Sequence, residues 1–269
     1  MADPQNIRKW IENMPKNGQN SFTLDELFAE FPDANRRAVA ALLWRLSNKK
    51  IILGVKNGFY AFVPVEYQLK GIVPPTLYMD GLMRYLKRDY YIGLLSAAAI
   101  YGSSHNASQI FTVITDLPQI RNGKREQYIR FISRGKIPNA FVREIKTETG
   151  FVKVSSPELT ASDLFHYTKQ IGGLGIASTA LNDLAEVLDF KNLDTGFFKC
   201  VSATSIQRLG YVLDCILDRR DKADMLFNKA FYSNVNFQNI PLAPKRPVEG
   251  KSVNGRWKVV INTEIEIDE

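Results

Sequence analysis

The sequence predicts an α+β protein with two domains, a small N-terminal one and a larger C-terminal one. The chain has 269 residues, 45% of them hydrophobic, and this length exceeds that of a usual single domain. Residues 5–62 have the pattern of three helices followed by a β-hairpin. Residues 110–155 are instead rich in β-branched and aromatic residues, and residues 156–231 return to helical spacing. These observations predict a helical domain with a short hairpin, then a domain that combines a small sheet with several helices.

A proline-rich stretch separates the two patterns. Residues 64–76, PVEYQLKGIVPPT, hold three prolines and one glycine. Such a segment is typical of a connection between domains, because proline lacks the amide donor that helices and central strands need. We therefore expect an N-terminal domain at residues 1–64, a linker at residues 65–76 and a C-terminal domain at residues 77–269.

The N-terminal domain is predicted to begin with three amphipathic helices. Thr23 and Glu26 have the spacing of a capping box and open the second helix, which Pro32 ends. Asp33 is the expected N-cap of the third helix. Each helix places apolar residues at intervals of three and four, on one face. These residues are Ile7, Trp10, Ile11 and Met14 in the first helix, Leu24, Leu27, Phe28 and Phe31 in the second, and Val39, Leu42, Leu43 and Leu46 in the third.

A β-hairpin is predicted directly after the third helix. Residues 51–62 contain an apolar segment, the turn pair Asn57-Gly58 and an aromatic segment. Helix, turn, basic helix and hairpin, in this order, predict a winged helix-turn-helix domain. The hairpin is the wing, with Lys56 at its tip.

The outer face of the third helix is the candidate DNA-binding surface. An α-helix fits the major groove of DNA, where arginine and asparagine pair with base edges and lysine contacts phosphates. We expect Trp44 to pack against the wing or the second domain rather than against a base. The residues predicted on or beside the outer face are Arg37, Ala41, Trp44 and Asn48, with Arg45 flanking and Asn35 and Arg36 at the leading end.

The C-terminal domain is predicted to combine helices with a small, mostly antiparallel sheet. We expect helices at residues 77–87 and 91–101, then four β-prone segments within residues 110–155. Ser156 is the expected N-cap of the next helix, with Pro157 at its first position, and helices continue to about residue 231. Residues 256–267 predict a last strand.

Positive charge is concentrated in the predicted sheet. The net charge is +7, and residues 121–153 hold nine lysines and arginines against three glutamates. This surplus predicts a second basic surface for a DNA backbone, an RNA or an acidic protein, although an ordinary solvated sheet face is the alternative. Its residues are Arg121, Lys124, Arg125, Arg130, Arg134, Lys136, Arg143 and Lys146.

The residues alone leave two other classes of function open. Glu144 and Lys146 have the Glu-x-Lys spacing of restriction-endonuclease-like sites, and Asp116 on an earlier strand could complete a Mg²⁺-dependent nuclease. The alternative without catalysis is a protein-docking adaptor, since winged helices also bind proteins. With only two histidines in the chain, a polyhistidine metal site is excluded, and we expect no resident metal or cofactor.

The cysteines and the lengths of the apolar segments limit the possible cellular locations. Cys200 and Cys215 lie in apolar helical patterns without metal-ligand spacing, so we expect buried thiols in a reducing compartment. The longest apolar run, residues 91–101, is shorter than the about 20 residues that cross a membrane. No N-terminal apolar segment has signal-peptide length. We expect a cytoplasmic protein without a membrane partner.

Four motifs of the second domain resemble those of one bacterial family. They are YYIGLLSAAAIYG at residues 90–102, VSSPELTASDLFHY at 154–167, QRLGYVLD at 207–214 and RWKVVIN at 256–262. Their order and spacing are similar to the AbiEi family, the antitoxin half of the AbiE abortive-infection system. The resemblance implies an N-terminal winged helix that binds inverted repeats and represses its own operon. It also implies a C-terminal domain that neutralises AbiEii, a nucleotidyltransferase toxin, as a type IV antitoxin that need not form a stable complex.

The resemblance implies a non-enzymatic protein of antiviral defence at the bacterial nucleoid, a monomer in solution or a dimer on DNA. It carries over no catalytic residue. The DNA-binding role falls by position on Asn35, Arg36, Arg37, Arg45, Lys49 and Lys50 in the basic helix, and on Lys56 and Asn57 in the wing.

Overall fold

The fold of this computed structural model is mixed α+β, as the sequence predicts. The structure describes residues 3–69, 73–103, 110–116, 128–148 and 150–267. The chain forms two compact units. The first consists of Met1–Tyr90, Thr115–Ile137 and Glu144–Lys153, and the second of Tyr91–Ile114, Pro138–Arg143 and Val154–Glu269.

The first unit contains the three predicted helices and the predicted hairpin. The strands form an antiparallel sheet in the order β1-β3-β2, and Asn57 and Gly58 make the turn between β2 and β3. Gly58 has a φ of +82°, which favours glycine at this position. The elements are α1 (Pro4–Asn13), β1 (Ser21–Thr23), α2 (Leu24–Glu30), α3 (Arg36–Asn48), β2 (Ile52–Lys56) and β3 (Phe59–Phe62).

Local signals fix where these helices begin. At α2 the amide of Thr23 donates to Glu26 Oε2 at 2.7 Å, and the amide of Glu26 donates to Thr23 Oγ1 at 3.1 Å, which confirms the capping box. The prediction that Asp33 caps α3 is wrong. Asn35 Oδ1 accepts from the amides of Arg37 and Ala38 instead, because α3 begins at Arg36 and Asp33 lies too early to reach them.

The core of this part of the first unit is built from the predicted apolar faces. Residues of α1, α2 and α3 meet the inner residues of the sheet, and α3 contributes four of the buried side chains. Packing of these faces against one another fixes the orientation of α3. It also stabilises the helix, because short helices are only marginally stable in isolation. The buried residues are Ile7, Ile11, Met14, Phe22, Leu27, Val39, Leu42, Leu43, Leu46, Ile52 and Phe62.

A five-stranded sheet follows, with the strand order β6-β5-β4-β8-β7. Its strands are β4 (Tyr90–Ile92), β5 (Phe111–Thr115), β6 (Ile129–Ser133), β7 (Val142–Thr147) and β8 (Gly150–Ser155), so the four predicted strands within residues 110–155 are confirmed. Strands β4 and β8 are parallel, with Ile92 opposite Val154. Three helices precede β5 in this region: α4 (Val65–Gln68), α5 (Met79–Tyr85) and α6 (Leu94–Ile100).

The predicted helix at residues 91–101 is only partly correct. Its first residues form strand β4, all of which is buried, and α6 begins at Leu94 after Gly93. A central strand is apolar on both faces, so periodicity alone does not distinguish it from a buried helix.

Helices dominate the second unit, as predicted. Ser156 Oγ accepts from the amide of Leu159 at 3.2 Å, and Pro157 occupies the first position of α7. Nine of the ten residues of α7 are buried, so it is the central helix of this unit. The helices are α7 (Pro157–His166), α8 (Thr168–Ile171), α9 (Leu174–Leu184), α10 (Thr195–Cys200), α11 (Ala203–Tyr211) and α12 (Arg220–Tyr232).

One expectation for the second unit is only partly correct, and another is wrong. The strand predicted at residues 256–267 is reduced to β11 (Val259–Val260), which pairs with β9 (Ile240–Pro241) and β10 (Val253–Asn254). Both Cys200 and Cys215 are exposed rather than buried. Within the part of the chain that the structure describes, no helix has the length and apolar character needed to cross a bilayer.

Candidate nucleic-acid interface

The outer face of α3 is open to solvent. Val39, Leu42, Leu43 and Leu46 point into the core, and the helix presents its charged residues on the other side. All six candidate DNA-binding residues of this region are exposed: Asn35, Arg36, Arg37, Arg45, Lys49 and Lys50. The surface that the sequence predicted for a duplex is therefore accessible in the first unit.

Positive charge on this surface is not locally neutralised. Between Asp33 and Glu66 the sequence contains six lysines and arginines and no carboxylate. Among the described residues, none of the ion pairs of the protein involves Arg36, Arg37 or Arg45. A run of exposed cations without acidic neighbours has the electrostatic character of a surface that binds a polyanion.

The individual candidate side chains differ in how they are held. The guanidinium of Arg36 lies 4.9 Å from the centre of the Phe28 ring, and Arg45 Nε donates to the carbonyl of Ala41 at 3.3 Å. Arg37 makes no side-chain hydrogen bond within the described residues, so its guanidinium is available for a ligand. The amide oxygen of Asn35 is occupied as the N-cap of α3. Within the described residues, the side-chain amino group of Asn35 makes no hydrogen bond, so it can donate to a ligand.

The turn of the hairpin is held by a residue that the sequence did not single out. Tyr85, on α5, donates its hydroxyl hydrogen to the carbonyl of Asn57 at 3.0 Å, and its ring lies 5.7 Å from that of Phe59. From the other side, the amide of Leu24 donates to the carbonyl of Gly58 at 2.8 Å. The half-buried Lys56 and the exposed Asn57 thus extend from a fixed turn. The Asn57-Gly58 pair predicted the turn, but no local signal could have identified its partner 28 residues away.

The environment of Trp44 differs from the one that the sequence predicted. The sequence predicted that it packs against the wing or the second domain, but its side chain is 67% exposed. Its neighbours on the outer face, Ala40 and Ala41, are also exposed. The centre of the α3 face is therefore apolar, with cations at both ends.

The predicted second basic surface divides over two places. Arg130 lies on β6, with Arg134 and Lys136 just after it, whereas Arg143 and Lys146 lie on β7. These strands are the opposite edges of the five-stranded sheet, about 19 Å apart at the usual strand spacing. Arg143 also forms an ion pair of 3.7 Å with the buried Glu158. The other predicted members, Arg121, Lys124 and Arg125, lie outside the described residues.

The nuclease arrangement is not assembled. Asp116 follows β5, whereas Glu144 and Lys146 lie on β7, and two strands separate β5 from β7. Glu144 and Lys146 are exposed on an edge strand instead of converging on a cleft with Asp116. Among the residues that the structure describes, no group of three histidine, cysteine, aspartate or glutamate side chains is placed to hold a metal ion.

Comparison with solved structures gives the class of fold. The crystal structure of the RV2827C protein from Mycobacterium tuberculosis matches with a TM-score of 0.63 and 13% sequence identity, covering 96% of this chain and 92% of that one. At this identity the similarity shows the fold alone. No curated protein sequence matches the chain. Fold and site together define a mixed α+β protein whose first unit exposes a basic helix.

The family follows from the second domain. Residues 91–215 match the family described as the AbiEi antitoxin C-terminal domain. This segment of the chain is therefore similar to the C-terminal domain of AbiEi antitoxins. The resemblance that the sequence motifs indicated is confirmed.

Proposed function

We propose that the protein is an AbiEi antitoxin that represses its own operon and neutralises a nucleotidyltransferase toxin of the AbiEii type. The observation that carries the proposal is the combination of the AbiEi domain at residues 91–215 with the exposed basic face of α3. In this proposal residues 1–64 are the DNA-binding domain, residues 65–76 the linker and residues 77–269 the antitoxin domain. The protein acts in the bacterial cytoplasm, at the nucleoid, without catalytic turnover.

DNA binding is supported by the architecture of the first unit. The order of helices α2 and α3 and the β2-β3 hairpin, packed on one core, supports a winged helix-turn-helix domain, a fold in which the second helix enters the major groove. Arg37 and Arg45 are the residues proposed for base edges or nearby phosphates. The residues proposed to hold the phosphate backbone are Arg36, Lys49 and Lys50 in α3 and its end, with Lys56 and Asn57 in the wing.

The proposed operator is an inverted repeat. One recognition helix reads only a few base pairs, so a specific site needs two copies of the protein on two half-sites. Because the two half-sites are related by a twofold axis, each copy presents α3 in the same way. Repression then follows when both copies cover the promoter of the operon.

The test of DNA binding is a mobility shift with the DNA directly upstream of the gene. The double variant Arg37→Ala with Arg45→Ala is expected to lose about 1–3 kcal/mol of binding free energy for each base contact removed. A charge-matched control, Arg8→Ala with Lys9→Ala on α1, removes the same charge from another exposed surface and is expected to bind almost normally. Equal binding by both double variants would refute the proposed role of α3.

The antitoxin role is tested separately in cells that express the neighbouring nucleotidyltransferase. The full chain and the α3 double variant are both expected to restore growth when they are expressed from an independent promoter. Rescue by the variant would separate toxin neutralisation from operator binding. A chain that binds its operator but never restores growth would overturn the antitoxin half of the proposal.

A further inference from the structure

Trp44 is exposed in a way that the other tryptophans are not. The chain contains three, of which Trp10 packs against the N-terminal core and Trp257 is fully buried. Trp44 is 67% exposed, and within the described residues its indole makes no hydrogen bond or ring contact. Large exposed aromatic side chains are enriched at the centres of binding sites, where their burial contributes much of the affinity.

The chemistry around Trp44 favours a nucleic acid over a protein as its partner. Ala40 and Ala41 lie beside it on the exposed face, and Arg37 and Arg45 flank this apolar centre. No carboxylate occurs between residues 34 and 65. An apolar strip with cations at both ends matches a duplex groove, which is lined by phosphates and has base edges at its floor.

Only one base offers an apolar group in the major groove. Guanine, cytosine and adenine present hydrogen-bond donors and acceptors there, whereas thymine also presents its C5 methyl group. The indole has a large apolar face and a single N–H donor, so it is poorly suited to phosphates and well suited to a methyl group. We propose that Trp44, with Ala41 beside it, recognises a thymine methyl group at the centre of each half-site and is a specificity-determining residue.

This inference rests on the proposed DNA binding and is tested by removing the methyl group alone. A footprint first defines the protected segment of the upstream DNA, and each of its thymidines is then replaced in turn by deoxyuridine in synthetic duplexes. At one thymine in each half-site, the replacement is expected to weaken wild-type binding about four-fold, as expected from the burial of one methyl group. Trp44→Ala is expected to bind the thymine duplex about ten-fold more weakly and to bind both duplexes equally.

Arg37→Ala provides the matched control. It lowers affinity for both duplexes but is expected to retain the preference for thymine over uracil, because the methyl contact is left in place. If uracil has no effect at any position, or if Trp44→Ala keeps the same preference as the wild type, the inference is overturned while DNA binding stands. If the wild type fails to bind the upstream DNA at all, the proposed function itself fails.

Tryptophan fluorescence gives a second readout. Acrylamide is expected to quench Trp44 in the free protein, whereas Trp257 is protected and Trp10 is partly protected by burial. Binding of the upstream duplex is expected to remove the strongly quenched component of the tryptophan fluorescence. The Trp44→Phe variant is expected to lack this component both free and bound to DNA. Unchanged quenching of Trp44 in the saturated complex would overturn the contact, since a side chain against a base would be shielded.

Discussion

Substitution of Gly210 by alanine provides a sharp test of the packing in the antitoxin domain. Gly210 lies on α11 within the QRLGYVLD motif, and a Cβ atom added there would overlap three ring carbons of Trp257. The indole is fully buried, and its Nε1–H donates to Asp214 Oδ2 at 2.9 Å. The ring of Phe227 packs edge-on against it, with centroids 5.4 Å apart. The side chain therefore has little freedom to move away.

The expected change in stability combines one favourable effect with two unfavourable ones. Alanine in a helix is favoured over glycine by about 1 kcal/mol. Overpacking a tight core costs about 1–3 kcal/mol, and displacing the indole also endangers its buried hydrogen bond, worth about 1–3 kcal/mol. We expect Gly210→Ala to lower the free energy of unfolding by about 1–5 kcal/mol in spite of the better helix propensity.

Urea denaturation followed by circular dichroism measures this change. Gly255→Ala is the matched control in the same unit, because nothing lies within 4 Å of its added Cβ, and it is expected to change stability by less than about 0.5 kcal/mol. Combining Gly210→Ala with Trp257→Leu should cost less than the sum of the single changes, since the smaller side chain leaves room for the methyl group. A Gly210→Ala protein as stable as the wild type would contradict the close contact with Trp257.

Two further predictions concern tyrosines. Tyr85→Phe keeps the ring beside Phe59 but removes the hydrogen bond to the Asn57 carbonyl, so stability is expected to fall by about 0.5–1.5 kcal/mol with faster amide exchange in the turn; unchanged exchange would contradict a fixed turn. Burial raises the pKa of Tyr101 from its usual 10.0 to about 12. Its neutral form therefore contributes stability below pH 10 that is lost as the pH rises toward 12. Tyr101→Phe should lack this component of an alkaline unfolding profile.

Much of the first unit could be predicted because its signals are local. The capping box of Thr23 and Glu26, the periodic apolar faces and the Asn57-Gly58 turn each involve residues within a few positions of one another. The Ser156-Pro157 helix start in the second unit is of the same kind. Such signals determine an element before any tertiary contact forms. These signals do not identify the exact N-cap residue: the sequence predicted Asp33 as the N-cap of α3, but Asn35 has this role.

The sequence by itself thus determined the α+β class, the basic helix, the hairpin and the family motifs. Tertiary structure alone decided that residues 90–92 form a central strand, that Trp44 stays exposed and that Tyr85 holds the turn. It also placed two strands, β4 and β8, between the end of β5 at Asp116 and the strand of Glu144, which separates the parts of a nuclease site. The physical reason is the same in each case. These outcomes depend on which distant residues are packed together, and no local period or spacing in a chain encodes that choice.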